Sequence, residues 1–321
     1  MQGHLVVGKR EYGRLLKMRA HWTEQSERGN TVMLQVLAWI ALHLGRWPIH
    51  LLLYPIVSYF FLTASDARSA SRKYLFKVRG RKPTIIEQFR HLYTFAVVST
   101  DRLFFLSGQD KKFVVQLSGE EIFDQYIRCG HGCILLTSHL GSFEVMRVPG
   151  AKDHNLPIRI LMDRAHNPAV VTLLDALAPD LAERVLDSGR SAPELVLSME
   201  SSLRAGDLLG IMADRARIGE QVQFCDFLGS KAAFPISPWS LSLVMNVPII
   251  LCFGLYQGGN RYTVHFELIA EKPSVSRKHR QQVITGYINR YVFHLEHYTR
   301  MAPYNWFNFY DFWSNESAAD H

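Results

Sequence analysis

Short apolar runs alternate with helix-like segments through most of the chain, and this alternation limits the possible folds more than any other feature. Strand-like runs occupy 133–138 (CILLTS), 158–162 (IRILM), 208–213 (LLGIMA), 248–255 and 262–269, and segments with helical spacing occupy 84–107, 168–178, 192–205, 237–246 and 274–299. Strands separated by helices predict a layered α/β/α domain with a mainly parallel central sheet. The first and fourth runs have a continuous rather than alternating apolar character, which is typical of central strands covered on both faces.

A long apolar segment, residues 31–65, precedes this domain. From Trp47 to Ala64 the only residue with an acidic or basic side chain is His50. A helix of this length extends about 27 Å, which is close to the thickness of a bilayer core. Basic residues flank the segment on both sides, however, and Arg46 and Pro48 interrupt it. Positive charge on both flanks opposes a simple crossing, because basic residues collect on the cytoplasmic side of a membrane.

The sequence therefore predicts two parts. Residues 1–82 form a basic N-terminal segment whose hydrophobic helices anchor the chain to a membrane, as a shallow hairpin or as a helix in the interface, and residues 83–321 form the α/β domain. In the alternative interpretation, the two hydrophobic helices are a buried pair in the protein core. Their length and hydropathy do not separate these interpretations.

Charge and cysteine content narrow the classes of partner. The formal net charge of +7 favours an acidic carrier protein, an anionic membrane surface or nucleic acid. Nucleic acid ranks last, because no nucleic-acid-binding motif accompanies the charge. No CxxC pair occurs, and Cys129-Gly-His131-Gly-Cys133 lacks a fourth ligand, so we predict a plain turn there. We expect neither a metal nor a cofactor.

His139 stands where the first apolar strand ends, and Gly141, Ser142 and Glu144 follow it. Open α/β sheets bind ligands beyond the carboxyl ends of their strands, which makes His139 the candidate for chemistry. If Glu144 begins a helix after the turn, its carboxylate can hold one ring nitrogen while the other accepts a substrate proton. The amides of that helix start could bind a phosphate or an oxyanion. Alternatively, Glu144 caps the helix and His139 binds the backbone.

Five segments follow one another along the chain: GCILLTSHLGSFEV, ILMDRAHNP, LRAGDLLGIMADR, CDFLGSKAAFPISPWSLSLVMNVPIILCF and LEHYTRMAPYNWFNFYDFW. In this order they resemble the bacterial late acyltransferases of lipid A biosynthesis, within the lysophospholipid acyltransferase group that carries an H-x4-[D/E] motif. The resemblance covers most of the chain. The early segment HWTEQSERG resembles a branch associated with aryl-polyene or pigment-type gene clusters.

The resemblance implies a membrane-associated O-acyltransferase on the cytoplasmic face of a bacterial inner membrane. It would move a fatty acyl group from an acyl-carrier-protein or CoA thioester to a hydroxyl of a lipid such as a lipid A precursor. His139 would be the general base and Glu144 its orienter, without a covalent enzyme intermediate. The substrate-binding residues that the resemblance implies are Arg164, Asn167, Asp214, Arg215, Gly141 and Ser142. Asp214 and Arg215 would also fit a surface ion pair.

Two departures from the family pattern leave the acceptor open. Ser142-Phe143 stands where the family commonly has Asn-Trp, and the closing WFNFYDFW lacks the family's basic residues. The acceptor is then a lipid A precursor, a glycerolipid or an aryl-polyene or pigment lipid. A hydrolase that passes the acyl group to water, and a non-catalytic membrane-bound scaffold of the same fold, are the alternatives of other classes. A serine nucleophile is poorly supported, because GxSxG does not occur.

Overall fold

A seven-stranded sheet organises the chain. The computed structural model describes residues 39–313 apart from 131, 147, 149–156, 166, 217–218 and 272–275. The strands of the main sheet are β1 (Val114–Ser118), β2 (Cys133–Thr137), β3 (Ile158–Met162), β4 (Val185–Asp187), β5 (Leu208–Met212), β8 (Ile249–Gly258) and β9 (Arg261–Ala270), and β6 (Val222–Phe227) pairs with β7 (Ser230–Pro235) in a separate hairpin.

The order across the main sheet is β1-β9-β8-β2-β5-β3-β4. Neighbouring strands pair in parallel except β8 and β9, which are antiparallel. The helices are α1 (Arg46–Thr63), α2 (Ser65–Arg79), α3 (Ile85–Leu106), α4 (Pro168–Leu177), α5 (Pro179–Ala182), α6 (Ala192–Arg204), α7 (Ser237–Met245) and α8 (Arg280–Met301). The predicted mainly parallel α/β domain is confirmed.

Both faces of the sheet are covered. In β2, Ile134 and Leu136 point into a core shared with α2, α6 and α8, whereas Cys133 and Leu135 point into a core shared with α3. All five residues of β2 are buried. This explains why Cys133–Leu136 are apolar without interruption rather than at alternate positions, as is typical of central parallel strands.

All five predicted strands are present, together with four strands that were not predicted. β4 has only three residues, too few to show a period, and β1 is an edge strand without a buried residue. β6 and β7 form their hairpin outside the main sheet. The predicted helix at 274–299 begins at Arg280 in the structure, and residues 272–275 lie outside the described part.

The described part of the hydrophobic segment ends in α1, and the charged helix α2 follows it. Of the described helices, none alone is long and apolar enough to cross a membrane, whereas α1 and α2 together meet that test but are bent by 94°. Ile49, Leu53 and Val57 of α1 are buried. Its opposite side exposes Trp47, Leu51, Leu52, Tyr54, Tyr59 and Leu62. Residues 1–38, which include HWTEQSERG and the start of the apolar segment, lie outside the described residues.

Candidate active site

Two neighbouring parallel strands bring His139 and Asp214 together. Thr137 at the end of β2 is in register with Met212 at the end of β5, so both loops leave the same edge of the sheet. His139 Nδ1 lies 2.8 Å from Asp214 Oδ1. The His139 backbone amide donates to Asp214 Oδ2 at 3.0 Å. Ring and backbone of His139 are therefore held by one carboxylate.

Asp214 is fully buried, so its charge needs donors to replace water. Besides the two bonds from His139, Oδ2 accepts from Trp306 Nε1 at 3.3 Å and from Asn308 Nδ2 at 3.2 Å. Such a set of donors satisfies an ionised carboxylate and fixes its orientation. Asp214 is thus not part of a surface ion pair, which was one of the two interpretations of this residue.

The C-terminal segment, residues 304–313, forms one wall of the site. Phe307 N donates to His139 O at 2.8 Å, and Gly141 N donates to Asn305 O at 2.9 Å. Arg215 braces the same segment, since its Nε donates to Asn308 Oδ1 at 2.6 Å and its NH2 to Phe307 O at 2.9 Å. The loop that carries the histidine is therefore held by residues far away in the sequence.

The environment sets the charges of the pair. Burial lowers the pKa of His139 below its ordinary value of 6.5, the Arg215 charge acts in the same direction, and Asp214 opposes them. Burial alone would raise the pKa of Asp214, but His139 and Arg215 hold it below its ordinary value of 3.8. At neutral pH the carboxylate is ionised and the imidazole neutral. An ionised carboxylate only accepts, so the ring proton lies on Nδ1 and Nε2 has a free lone pair.

Asp214, and not Glu144, makes the orienting contact that we predicted for Glu144. Glu144 turns toward α3 instead, where its Oε1 lies 2.7 Å from Arg102 Nε, and its Oε2 accepts from Ser142 Oγ at 3.0 Å. No hydrogen bond or ion pair between Glu144 and His139 occurs among the described residues. The predicted geometry is corrected in this respect, and the catalytic roles of the two residues stay predictions.

The turn after His139 also differs from the predicted helix start. Of that helix, the structure describes a 3-10 turn, Glu144–Met146. The amides of Gly141 and Ser142 donate to Asn305 O and Gly254 O, at 2.9 and 2.8 Å. These two amides are therefore occupied by the protein. Substrate binding by Gly141 and Ser142 stays a prediction that their amides do not support.

Arg164 and Asn167 lie in the turn between β3 and α4. Arg164 NH1 donates to Ala182 O at 3.4 Å, and Asn167 Nδ2 donates to Asp163 O at 2.9 Å. Within the described residues, no bond joins this turn to His139. Of the predicted substrate-binding residues, the structure thus brings Asp214 and Arg215 to His139, and it does not link Arg164 or Asn167 to it.

Three residues at the site were not singled out from the sequence: Arg102, Trp306 and Asn308. Arg102 is one of many basic residues, and only its place on α3 distinguishes it. Trp306 and Asn308 lie in the segment NWFNFYDFW, which the sequence distinguished only by its aromatic residues and by its lack of the family's basic residues. In the described part of the chain, no cluster of three or more His, Cys, Asp or Glu side chains could hold a metal ion. His131 lies outside that part.

A mainly parallel α/β sheet with a histidine–carboxylate pair at its carboxyl edge defines an enzyme-like site for proton transfer. The sequence profile of the bacterial lipid A biosynthesis acyltransferases matches residues 77–314, a range that includes the sheet, His139, Asp214 and the whole C-terminal wall. The chain belongs to this family, and the predicted resemblance is confirmed. It is an acyltransferase that acts on a lipid acceptor. A search of curated proteins finds no significant match.

Proposed function

We propose that this protein transfers a fatty acyl group from a thioester of acyl carrier protein or CoA to a hydroxyl of a lipid such as a lipid A precursor, with His139 as general base. The observation that carries the proposal is the His139–Asp214 pair, in which a buried carboxylate holds Nδ1 at 2.8 Å. The pair leaves the basic Nε2 for a substrate. The His139 side chain is 27% exposed, enough for a hydroxyl to approach.

In this mechanism the acceptor hydroxyl gives its proton to Nε2 while its oxygen attacks the thioester carbon. Asp214 stabilises the imidazolium that forms, because it is held ionised by its donors. The thiolate then leaves and takes the proton back from Nε2. No covalent bond between enzyme and acyl group is needed. Glu144, which we predicted as orienter, supports the site through Arg102 instead.

Membrane association is part of the proposal, and the exposed side of α1 supports it. Five side chains of α1 are at least one-third exposed: Trp47, Leu51, Leu52, Tyr59 and Leu62. The ring of Phe61 contacts the ring of Phe89, which brings the exposed Ile85 and Ile86 of α3 near the end of α1. We call these seven exposed side chains the apolar face. Such a face on a helix is typical of proteins that lie in a membrane interface. We place the protein on the cytoplasmic face of a bacterial inner membrane.

A part-buried ion pair joins α1, which carries most of the apolar face, to α3. Arg46 of α1 donates from Nε and NH2 to the two carboxylate oxygens of Asp101 on α3, each at 2.7 Å, and Tyr262 donates to the same carboxylate at 2.8 Å. The next residue, Arg102, contacts Glu144 beside the site. A lipid acceptor held at α1 would therefore be near His139. The net charge of +7 favours an acidic donor such as acyl carrier protein.

The test is acyl transfer from labelled acyl-carrier-protein thioester into detergent-extracted bacterial lipids. His139→Ala should lower the rate about 10²–10⁴-fold, because the general base is lost. Asp214→Asn should lower it by a similar factor, because an amide can also donate to Nδ1 and so favour the wrong tautomer. The labelled product identifies the acceptor.

The exposed His43→Ala variant is the matched control and should transfer at the rate of the unchanged protein. Equal rates for His139→Ala and the unchanged protein would refute the general-base mechanism and favour the non-catalytic scaffold. Label released only as free fatty acid, in the presence of lipids, would favour the hydrolase.

A further inference from the structure

Acyl transfer from a thioester places negative charge on the carbonyl oxygen, and enzymes stabilise that charge with donors that are already in place. Backbone amides in the turn after a catalytic residue often serve this purpose. Here the amides of Gly141 and Ser142 are bonded to Asn305 O and Gly254 O. They cannot turn to a substrate without breaking the contacts that hold His139. A charged side chain near His139 is then the best source of stabilisation.

Two arginines act electrostatically on His139, Arg215 and Arg102. Arg215 is bound to the C-terminal wall. Its guanidinium donates hydrogen bonds to Asn308 Oδ1 and Phe307 O and lies 5.6 Å from the Tyr310 ring centroid. Moving Arg215 toward a substrate would break these contacts. Arg215 therefore holds the C-terminal wall in place.

Arg102 is placed differently. It reaches the site from α3, and its Nε lies 2.7 Å from Glu144 Oε1. Its side chain is 30% exposed, and within the described residues its guanidinium makes no hydrogen bond to the protein, so its contact with Glu144 is an ion pair alone. Ser142 Oγ holds the other oxygen of Glu144 at 3.0 Å, which fixes the carboxylate that anchors Arg102. A guanidinium held by an ion pair on its Nε side still has the planar pair of donors on NH1 and NH2 available.

We propose that Arg102 is a catalytic residue whose guanidinium, anchored by Glu144, binds the carbonyl oxygen of the acyl thioester as that oxygen becomes negative. The inference rests on the proposed acyl transfer. As His139 takes the acceptor proton, the acceptor oxygen bonds to the carbonyl carbon and the C=O electron pair moves to the oxygen beside Arg102. When the pair returns, the C–S bond breaks and the thiolate takes the proton from His139.

Glu144 is then the positioning residue for Arg102 and does not touch the imidazole. This assigns a purpose to the glutamate of the H-x4-E motif in this chain, where Asp214 already occupies His139 Nδ1. The sequence interval between His139 and Glu144 contains the Gly141 turn, which directs the two side chains to different partners. The histidine faces β5 and the glutamate faces α3.

The experiment compares two reactions of lauroyl-acyl-carrier-protein: transfer to lipid, and slow hydrolysis by water when no acceptor is present. Both pass through the same oxyanion, so Arg102→Gln should lower kcat of both by about 10²–10³-fold with little change in KM for the thioester. Arg102→Lys keeps the charge but not the planar fork, and should lower both about tenfold. Glu144→Gln should lower both in the same proportion.

Arg204→Gln is the matched control, because Arg204 is an exposed arginine with a glutamate partner on α6. It should leave both reactions unchanged. Thermal unfolding of each variant is measured alongside, and the Lys variant carries the test if the Gln variant does not fold.

Three outcomes would overturn the inference. If transfer slows through a raised KM for the lipid while hydrolysis is unchanged, Arg102 binds an anionic group of the acceptor instead. If both reactions proceed at the unchanged rate, the pair with Glu144 is structural. If the unmodified protein consumes no thioester at all, the proposed function fails and the inference falls with it.

Discussion

At the scale of single residues, the proposed chemistry depends on a neutral imidazole. Burial and the positive charges of Arg215 and Arg102 lower the pKa of His139 below 6.5, and Asp214 opposes them only in part. The same Arg215 charge helps to keep Asp214 ionised. The imidazole of His139 is thus kept neutral, and the carboxylate of Asp214 ionised, by charged groups after β2, after β5 and on α3.

We therefore expect kcat/KM for acyl transfer to rise with pH through a midpoint below 6.5 and to be level above it, since only the neutral imidazole accepts a proton. Arg215→Gln removes a charge that disfavours the imidazolium, so it should move this midpoint to higher pH. The measurement is kcat/KM for lauroyl-acyl-carrier-protein between mildly acidic and neutral pH.

Arg204→Gln, which removes a remote charge, should not move the midpoint. A midpoint at or above 6.5 in the unchanged protein would contradict the assigned environment of His139. A midpoint that stays in place in Arg215→Gln would show that Arg215 does not act on the imidazole.

At the scale of structural elements, the turn after β2 depends on close approach of two backbones. Gly141 has φ +74°, and a Cβ on it would lie 1.9 Å from Gly254 O in β8. Gly254 is equally confined, since its own Cβ would lie 2.3 Å from Ser142 O. Two glycines thus let the loop of His139 lie against the neighbouring strand.

Gly141→Ala should destabilise the protein far more than a positive φ alone explains. The left-handed conformation costs a residue with a Cβ about 1–2 kcal/mol. Moving the turn away from β8 would also break the bonds to Gly254 O and Asn305 O, each of about 1 kcal/mol. We expect a total loss of about 3–4 kcal/mol in the free energy of unfolding, measured by urea denaturation in detergent.

Gly80→Ala provides the matched control, because Gly80 has φ +68° and open space where its Cβ would be. It should lose only the conformational part, about 1–2 kcal/mol. Equal losses for the two variants would show that the contact between the turn and β8 does not constrain the fold.

At the scale of the whole molecule, α1 links a surface to the site. One side of the helix is buried against the domain and the other carries five of the seven side chains of the apolar face. The part-buried Arg46–Asp101 pair fixes the helix to α3, and α3 carries Arg102. A membrane bound at this face would then deliver the lipid to the edge of the sheet where His139 lies.

The double substitution Leu51→Asp and Leu62→Asp should weaken binding to vesicles of phosphatidylethanolamine and phosphatidylglycerol about 10–100-fold, because each exposed leucine loses apolar burial in the interface. Sedimentation with vesicles measures this. Leu197→Asp removes an equally exposed leucine on α6 and should bind as the unchanged protein does. Undiminished binding by the double variant would refute the proposed orientation.

The sequence by itself determined the class of fold and the position of His139. The period of the apolar residues and the length of each apolar run distinguish strands from helices, because both depend on residues close together in the chain. A polar residue directly after an apolar strand lies at the carboxyl edge of a parallel sheet, which made His139 a candidate, and the family resemblance added Asp214. The family resemblance added the reaction, since its five segments span most of the chain.

Only the tertiary structure decided which side chains meet. His139 and Asp214 are 75 positions apart, and Asn308 lies 94 positions from Asp214. Their contacts depend on the order of strands and on the path of the C-terminal segment, which no local pattern encodes. Glu144 is near His139 in the chain but turns to Arg102, because Gly141 redirects the backbone between them. Proximity in sequence predicted Glu144 as the partner of His139, whereas in the structure Asp214, which is distant in the sequence, makes that contact.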